Sequence, residues 1–202
     1  YAESFIALSV PEVPLDARRK LLELSSKYKG YAVASFTSGE MQDARESRML
    51  EMVNLMAMNI DEAAALSGMG PGNHDAQKIV EKTIGQMKVM NSRASLSITA
   101  GKEGSWSWDG EQLTHVPAFA VEVKSSAGAG DAHISGIITG LVSGLTLQQA
   151  QVLGSLAAAL AVTSQHTIHP DMSRAALKQL ALRSEPGIDP HVLSLLNEKV
   201  NS

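Results

Sequence analysis

The sequence predicts an α/β fold in which a mostly parallel sheet carries helices on both faces. Two observations lead to this prediction. Short apolar runs of strand length alternate with longer stretches of helical periodicity over the first hundred residues, which is the pattern of successive βα units. The chain has 202 residues, of which 44% are hydrophobic, so it is long enough for one domain with a substantial core.

The apolar runs predict four strands, at Phe5–Leu8, Tyr31–Phe36, Val53–Met58 and Ser95–Thr99. The stretches between and after them have apolar residues at helical spacing, and they predict helices at Leu15–Tyr28, Met41–Leu50, Ile60–Leu66 and Lys78–Met87. Gly30 and Gly68 stand just after two of these helices, where glycine commonly ends a helix.

The second half of the chain has a different pattern of predicted elements. Residues 105–108 read Ser-Trp-Ser-Trp, and Asp109-Gly110 then predicts a hairpin turn before a return strand at Gln112–Val116. After Gly130 the sequence is helical throughout, including a helix at Leu147–Thr163 and two more around a break at Pro186-Gly187. In the helix that begins after Gly130, Gly136 and Gly140 are four residues apart, which predicts close approach of a neighbouring backbone.

Composition excludes several classes of protein. The net charge of -4 and the scattered lysines and arginines do not form the basic face that a nucleic-acid partner needs. The absence of cysteine excludes disulfides and thiolate metal sites and fits a cytoplasmic location. No apolar run is long enough to span a bilayer, so no membrane partner is expected. Because the sequence starts at Tyr1, we expect it to be part of a longer chain.

A glycine-rich segment stands before the first C-terminal helix. Ser125-Ser126-Ala127-Gly128-Ala129-Gly130-Asp131 ends where the apolar helical stretch begins. A helix N-terminus has free N–H groups and a partial positive charge, and glycine leaves that backbone open to a ligand. The segment is therefore a candidate anion cradle, and Asp131 is a candidate base for an attacking hydroxyl. A glycine turn followed by an ordinary acidic residue in the first helical turn is the alternative interpretation.

Two further candidate sites follow predicted strands. Asn59 and Glu62 have the spacing of a helix N-cap and its capping-box partner, but the same two side chains could hold hydrated Mg²⁺ near phosphates. The segment from Thr99 to Gly104 is not a Walker A loop, because no Gly-Lys-Ser/Thr follows its glycines. Thr99 could bind a phosphate at the end of its strand, and a plain turn is the alternative.

Taken together, these motifs resemble the ribokinase-like (PfkB) carbohydrate kinase family. The resemblance runs from about Ser4 to Thr163. Its five motifs occur in the family's order, and they are Asn59-x-x-Glu62 continuing to Gly68, Thr99-x-Gly101-x-x-Gly104, the Trp108-Asp109-Gly110 hairpin, Val116-Pro117-Ala118, and Gly128-Ala129-Gly130-Asp131 followed by Gly136. Each motif is weak alone, so the assignment depends on their combination.

The resemblance implies a doubly wound sheet at whose carboxyl edge a nucleotide and a sugar meet. It implies an ATP-dependent kinase, a phosphotransferase acting on a hydroxyl of a small sugar or sugar-like substrate. Asp131 matches the family's catalytic base, which deprotonates that hydroxyl. Gly128, Ala129 and Gly130 match the anion hole that steadies the transferring phosphoryl group.

Further positions match the family's nucleotide contacts. Asn59 and Glu62 match the motif tied to Mg²⁺ and phosphate, and Glu62 is the expected metal-site residue. Thr99, Gly101 and Gly104 match contacts to the nucleotide phosphates. The expected cofactors are therefore ATP and Mg²⁺.

The sequence departs from the family in two places. The family usually has Asp-Thr before its Gly-Ala-Gly-Asp stretch, where this chain has Ser125-Ser126-Ala127, so the resemblance does not carry over monovalent-cation activation. The family's N-terminal part and its small β lid, which supply most of the sugar contacts, are not visible. Residues 1–202 are therefore expected to be one ribokinase-like domain that is incomplete at its N-terminus.

Several functions remain open at this point. The acceptor could be a sugar, a nucleoside or pseudouridine, or a vitamin-like alcohol, because the missing part shapes the acceptor pocket. A non-catalytic nucleotide-binding module of the same fold is the alternative from another class. Dimerisation through the lid is common in the family, so a homodimer is one expectation.

Overall fold

The computed structural model describes residues 6–69, 75–184 and 187–197. Its strands form one six-stranded sheet in the order β1-β2-β3-β4-β5-β6, and β1 to β4 are parallel neighbours. The strands are β1 (Ile6–Ser9), β2 (Tyr31–Ala34), β3 (Leu55–Asn59), β4 (Ser95–Thr99), β5 (Ser105–Trp108) and β6 (Leu113–Val116). The α/β fold with a mostly parallel sheet is confirmed. The first residue of the first predicted strand, Phe5, lies outside the described residues, as does Pro186.

The helices follow the predicted order. They are α1 (Leu15–Lys27), α2 (Met41–Glu46), α3 (Ile60–Ser67), α4 (Ala76–Met90), α5 (Ala129–Val142), α6 (Leu147–Ala161), α7 (Arg174–Leu182) and α8 (Pro190–Asn197). Gly68 ends α3 in the left-handed conformation that the sequence predicted for a terminating glycine. Among the described residues, no helix is both long enough and apolar enough to cross a membrane.

The helix predicted at Met41–Leu50 is shorter than expected. It ends at Glu46, Arg48 adopts a left-handed backbone with φ 60°, and a 3₁₀ turn follows at Met49–Met52. The turn buries the side chains of Met49 and Leu50 almost completely. Burying two large apolar side chains offsets the cost of a positive φ at Arg48.

The chain divides into two compact units. The first unit contains the residues up to Ala100 together with Trp106–Leu113. Its core is built on the central strands, whose side chains are buried on both faces, as expected of parallel strands covered by helices. The Asp109-Gly110 hairpin is formed as predicted, since β5 and β6 are neighbours in the sheet. The Asp109 carboxylate stabilises the turn by accepting the N–H groups of Glu111 and Gln112 at 2.9 and 2.8 Å.

Among the described residues of the first unit, one charged side chain is buried. Arg18 is 1% exposed, and its guanidinium donates to both carboxylate oxygens of Glu40 at 3.0 Å. It also donates to the Ser9 hydroxyl and the Ser35 carbonyl, and it stacks on Phe36 at 4.5 Å from the ring centre. The buried charge is therefore fully partnered, which is the condition under which such burial is tolerated.

The second unit contains Gly101–Ser105 and the chain from Thr114 onward. Its centre is the pair α5 and α6, which approach closely. A Cβ on Gly136 would lie 2.7 Å from the Gly154 Cα, and a Cβ on Gly140 would lie 2.8 Å from the Ala150 Cβ. The close backbone approach predicted from the two glycines is confirmed.

Candidate functional site

Asn59 ends β3 and caps α3. Its side-chain oxygen accepts the N–H groups of Asp61 and Glu62, each at 2.9 Å, and the Glu62 carboxylate accepts the Asn59 N–H at 2.9 Å. The two residues thus form the reciprocal capping box that their spacing predicted. The structural interpretation of this motif is confirmed, and any role with a metal must be additional to it.

Glu62 has an electrostatic environment that suits such an additional role. Burial raises the pKa of its carboxyl group, the N–H of Asn59 opposes that rise, and the negative charges of Asp61 and Glu40 add to it. Only Oε2 is engaged by the cap, so within the described residues Oε1 has no hydrogen-bond partner. A half-buried carboxylate that is costly to ionise gains from a nearby cation.

Thr99 lies beside Asn59. The parallel register of β3 and β4 places the two residues opposite each other at the carboxyl ends of their strands. The Thr99 hydroxyl donates a long hydrogen bond of 3.5 Å to the Met58 carbonyl. The first unit therefore brings Asn59, Glu62 and Thr99 to one edge of the sheet, where ligands bind in open α/β sheets.

The turn after β4 belongs to the second unit. Residues Gly101–Glu103 form a 3₁₀ turn, and both flanking glycines have positive φ, 55° at Gly101 and 90° at Gly104. A Cβ on Gly104 would overlap the Val116 carbonyl oxygen and lie 2.9 Å from the Ala118 nitrogen. Gly104 is therefore required by both conformation and packing, and Gly101 by conformation alone.

Gly128 is the N-cap of α5, with a left-handed φ of 77°. A Cβ at this position would overlap the Thr167 carbonyl oxygen, whereas a Cβ on Gly130 would meet nothing within 4 Å. No side chain caps this helix. Among the described residues, the N–H groups of Gly130 and Asp131 are therefore available to an anion in the field of the helix dipole.

Asp131 lies in the exposed first turn of α5. Together with Gly128 it lines a cavity of about 540 Å³ within the second unit. The rest of the cavity wall is mostly apolar and comes from α5, α6, α7, α8 and the segment around Thr167. The second unit thus places a carboxylate, uncapped N–H groups and free volume at one helix end.

The segment before this helix is tied to the end of α6. The Val162 carbonyl accepts the N–H groups of Lys124 and Ser125, at 2.8 and 3.3 Å. The Ser125 hydroxyl accepts the Ala127 N–H at 3.2 Å. These bonds fix the path of the chain into Gly128, and they therefore hold the segment that leads into the anion cradle.

Sequence reasoning missed the residues that hold these loops. Thr167 packs against Gly128, and the ring of His115 is bonded to the turn at Glu103. Neither residue has a local sequence signal, because each acts on a segment distant in the chain. His133 was also missed. It is buried on α5 and its Nε2 has no partner in the described part of the chain.

The pfkB family carbohydrate kinase profile matches residues 1–174. The chain belongs to the pfkB family of carbohydrate kinases. This pfkB match covers every candidate residue described above, and it confirms the family resemblance that the five motifs indicated.

Two relatives of this pfkB chain carry the names of kinases. It is 31% identical over 124 residues to an uncharacterized sugar kinase of Escherichia coli (strain K12), covering 61% of this chain and 37% of that protein. It is 29% identical over 129 residues to the fructoselysine 6-kinase of Shigella flexneri, covering 64% of this chain and 46% of that protein. The chain therefore spans less than half the length of these two relatives.

The fold is shared with solved ribokinases. The ribokinase of Arabidopsis thaliana, solved with ribose and ATP, superposes with a TM-score of 0.70 at 17% identity, covering 98% of this chain and 57% of that chain. Identity at this level supports the shared fold. The ribokinase-like architecture of this pfkB chain is thereby confirmed.

Proposed function

We propose that the protein containing this chain is an ATP-dependent phosphotransferase that phosphorylates a hydroxyl of a small sugar or sugar-like molecule. The proposal is carried by the N-terminal end of α5, where uncapped N–H groups, Gly128 and the exposed carboxylate of Asp131 adjoin a cavity. Membership of a carbohydrate kinase family supports the same reaction class. The proposal treats residues 1–202 as part of one catalytic domain.

Asp131 is the proposed base. Its carboxylate would take the proton of the acceptor hydroxyl as that oxygen attacks the γ-phosphorus of ATP. The Gly128-Ala129-Gly130 segment would form the anion hole, in which the available N–H groups of Gly130 and Asp131 would stabilise the charge that builds up on the phosphoryl oxygens. This arrangement accelerates transfer mainly by positioning and by charge stabilisation.

The edge of the first unit supplies the proposed contact to the metal and one of the proposed phosphate contacts. Glu62, through Oε1 and with Asn59 beside it, fits a hydrated Mg²⁺, which commonly binds one or two carboxylates together with substrate phosphates. No group of three or more metal-ligating side chains is present among the described residues. Thr99, Gly101 and Gly104 are the proposed phosphate contacts.

The proposed setting follows from composition. With a net charge of -4 and no cysteine, the protein is proposed to act in the cytoplasm on small molecules, without a nucleic-acid or membrane partner. A homodimer remains part of the proposal on the family resemblance.

The test is acceptor-dependent ADP release from Mg-ATP by the full-length protein, with a panel of sugars, nucleosides and vitamin-like alcohols. Asp131→Asn should lower turnover by about 10²- to 10⁴-fold, the usual contribution of a general base, while ATP affinity and melting temperature stay unchanged. Asp171→Asn, which alters another exposed aspartate of the second unit, is the matched control and should keep full turnover.

Either of two results contradicts the proposal. Turnover that survives Asp131→Asn removes this residue from the chemistry. Measurable ATP binding without ADP release for any acceptor makes a non-catalytic nucleotide-binding module the better description.

A further inference from the structure

The turn at Gly101–Ser105 is fastened to a strand that comes later in the chain. The ring Nε2 of His115, on β6, lies 2.7 Å from the Glu103 carbonyl oxygen. Because a carbonyl only accepts, Nε2 must be the protonated nitrogen that donates. The bond therefore holds the main chain of the turn by a side chain twelve residues away.

Two more contacts hold the same turn. Gly104 packs so closely on the backbone of Val116 and Ala118 that no side chain fits there. Ser105 shares a hydrogen bond of 2.7 Å with the hydroxyl of Ser155 on α6. All of these partners belong to the second unit, the unit that also carries the anion cradle at Gly128.

We infer that His115 is a positioning residue for nucleotide binding, which acts by fixing the orientation of the peptide groups in the Gly101–Gly104 turn. The inference rests on the proposed function, in which that turn contacts the phosphates of ATP. The turn has positive φ at both glycines and one backbone hydrogen bond of its own, from the Gly104 N–H to the Gly101 carbonyl at 3.1 Å. The bond from His115 adds a restraint on the Glu103 carbonyl. Removing this donor would let the peptide groups next to Glu103 reorient relative to the nucleotide.

The exposure of His115 makes the effect separable from folding. Its side chain is exposed, and the 3₁₀ turn that it holds has no buried residue. A change at this position therefore removes little packing, so the loss falls on binding instead of on stability. The acceptor does not contact this turn in the proposed mechanism, so its binding should be unaffected.

The experiment compares His115→Leu with His115→Gln in the full-length protein. Leucine removes the donor, whereas the side-chain amide of glutamine can reach about as far as Nε2 and can donate to the Glu103 carbonyl. His191→Leu alters another exposed histidine of the second unit, bonded to Asp189 at 3.1 Å, and serves as the control. The measurements are ATP affinity by calorimetry, KM for ATP, KM for the acceptor, kcat and melting temperature.

We expect His115→Leu to weaken ATP binding and raise KM for ATP by about 3- to 10-fold, the change that corresponds to one net hydrogen bond. Acceptor KM and melting temperature should stay unchanged, and His115→Gln should restore most of the affinity. Unchanged ATP affinity in His115→Leu overturns the inference. So does a parallel loss of ATP affinity, acceptor affinity and melting temperature, which would indicate a structural role alone.

The calorimetric measurement separates this inference from the proposed function. If the wild-type protein binds ATP but transfers no phosphoryl group, the proposed reaction fails, and the ATP affinities of the His115 variants still decide the inference. If turnover is normal and the variants match wild type, only the inference fails. A wild-type protein that binds no nucleotide overturns both.

Discussion

The polar groups around the candidate residues are satisfied differently in the two units, although each unit also buries side-chain oxygens without a partner among the described residues. In the first unit, the candidate residues Asn59 and Glu62 satisfy each other in a capping box, and the buried Arg18 has a partner for every part of its guanidinium group. In the second unit, α5 begins without a side-chain cap and the buried His133 has an unpartnered Nε2. Of these groups, the uncapped N–H groups at the start of α5 are the ones open to an anionic ligand.

Glycine substitutions give the largest expected effect and sharpen the comparison within the second unit. Gly128→Ala keeps the N–H groups but would strain the left-handed backbone and push against Thr167. We expect the resulting displacement of the N–H groups to lower turnover about 100-fold, an effect as large as the loss of one oxyanion-hole donor, together with a lower melting temperature. Gly130→Ala meets open space, so it should keep its stability and lose turnover only. Steady-state kinetics and thermal unfolding check both, and full activity in Gly128→Ala would contradict the cradle.

Arg18→Met tests whether the first unit depends on its internal partners. The change leaves the Ser35 carbonyl and the Glu40 carboxylate without their buried donor, so we expect a loss of about 3 kcal/mol in the free energy of unfolding. Arg19→Met, at an exposed neighbour with a surface pair to Glu23, should change it by less than about 0.5 kcal/mol. Urea unfolding of both variants measures the difference, and equal values would mean that the buried network adds nothing.

His133→Phe tests how the unpartnered, buried imidazole of the second unit affects the pH dependence of stability. Burial lowers the pKa of His133 to about 4, so the folded protein keeps the ring neutral while the unfolded chain takes up a proton below its ordinary pKa of about 6.5. Stability should therefore fall as pH drops from 6.5 to 4, by about 3 kcal/mol in total. The phenylalanine variant should lack this part of the pH dependence. An unchanged slope in unfolding measured from pH 7 to 4 would exclude His133 as its source.

Asn59→Ala and Glu62→Gln have the smallest expected effects and separate the two roles of the capping box. Losing the N-cap should cost about 1 kcal/mol of stability. Glutamine at position 62 can still accept the Asn59 N–H, so stability should hold while the Mg²⁺ concentration needed for half-maximal turnover rises. Magnesium titrations alongside thermal unfolding check this, and an unchanged magnesium requirement would leave Glu62 with its structural role alone.

Local signals predicted much of the molecule. The strand at Ser95–Thr99, the cap at Asn59, the Asp109-Gly110 turn and the glycines that bring α5 onto α6 all depend on neighbours in sequence, and all are present. The helix end at Glu46 was missed because burial of Met49 and Leu50, a tertiary effect, overrides helical periodicity there.

The same distinction between local and tertiary effects applies to the candidate site. Its glycines and carboxylates could be named from motif spacing, since each motif is contiguous. The contacts that hold the motifs could not, because His115 and Glu103, or Thr167 and Gly128, meet only after folding. Spacing along the chain contains no information about which distant main-chain groups will be neighbours.

The capping box at Asn59 and Glu62 has a consequence for how such sequences change over evolutionary time. A descendant that lost catalysis would still be selected to keep this pair, because the pair starts α3. Asp131 is exposed in the first turn of α5 and stabilises no comparable structure, so substitutions at this position would accumulate once activity was lost. Inactive members of the family would therefore still contain the Asn-x-x-Glu motif. Substitution of the aspartate would be the feature that distinguishes them from active members.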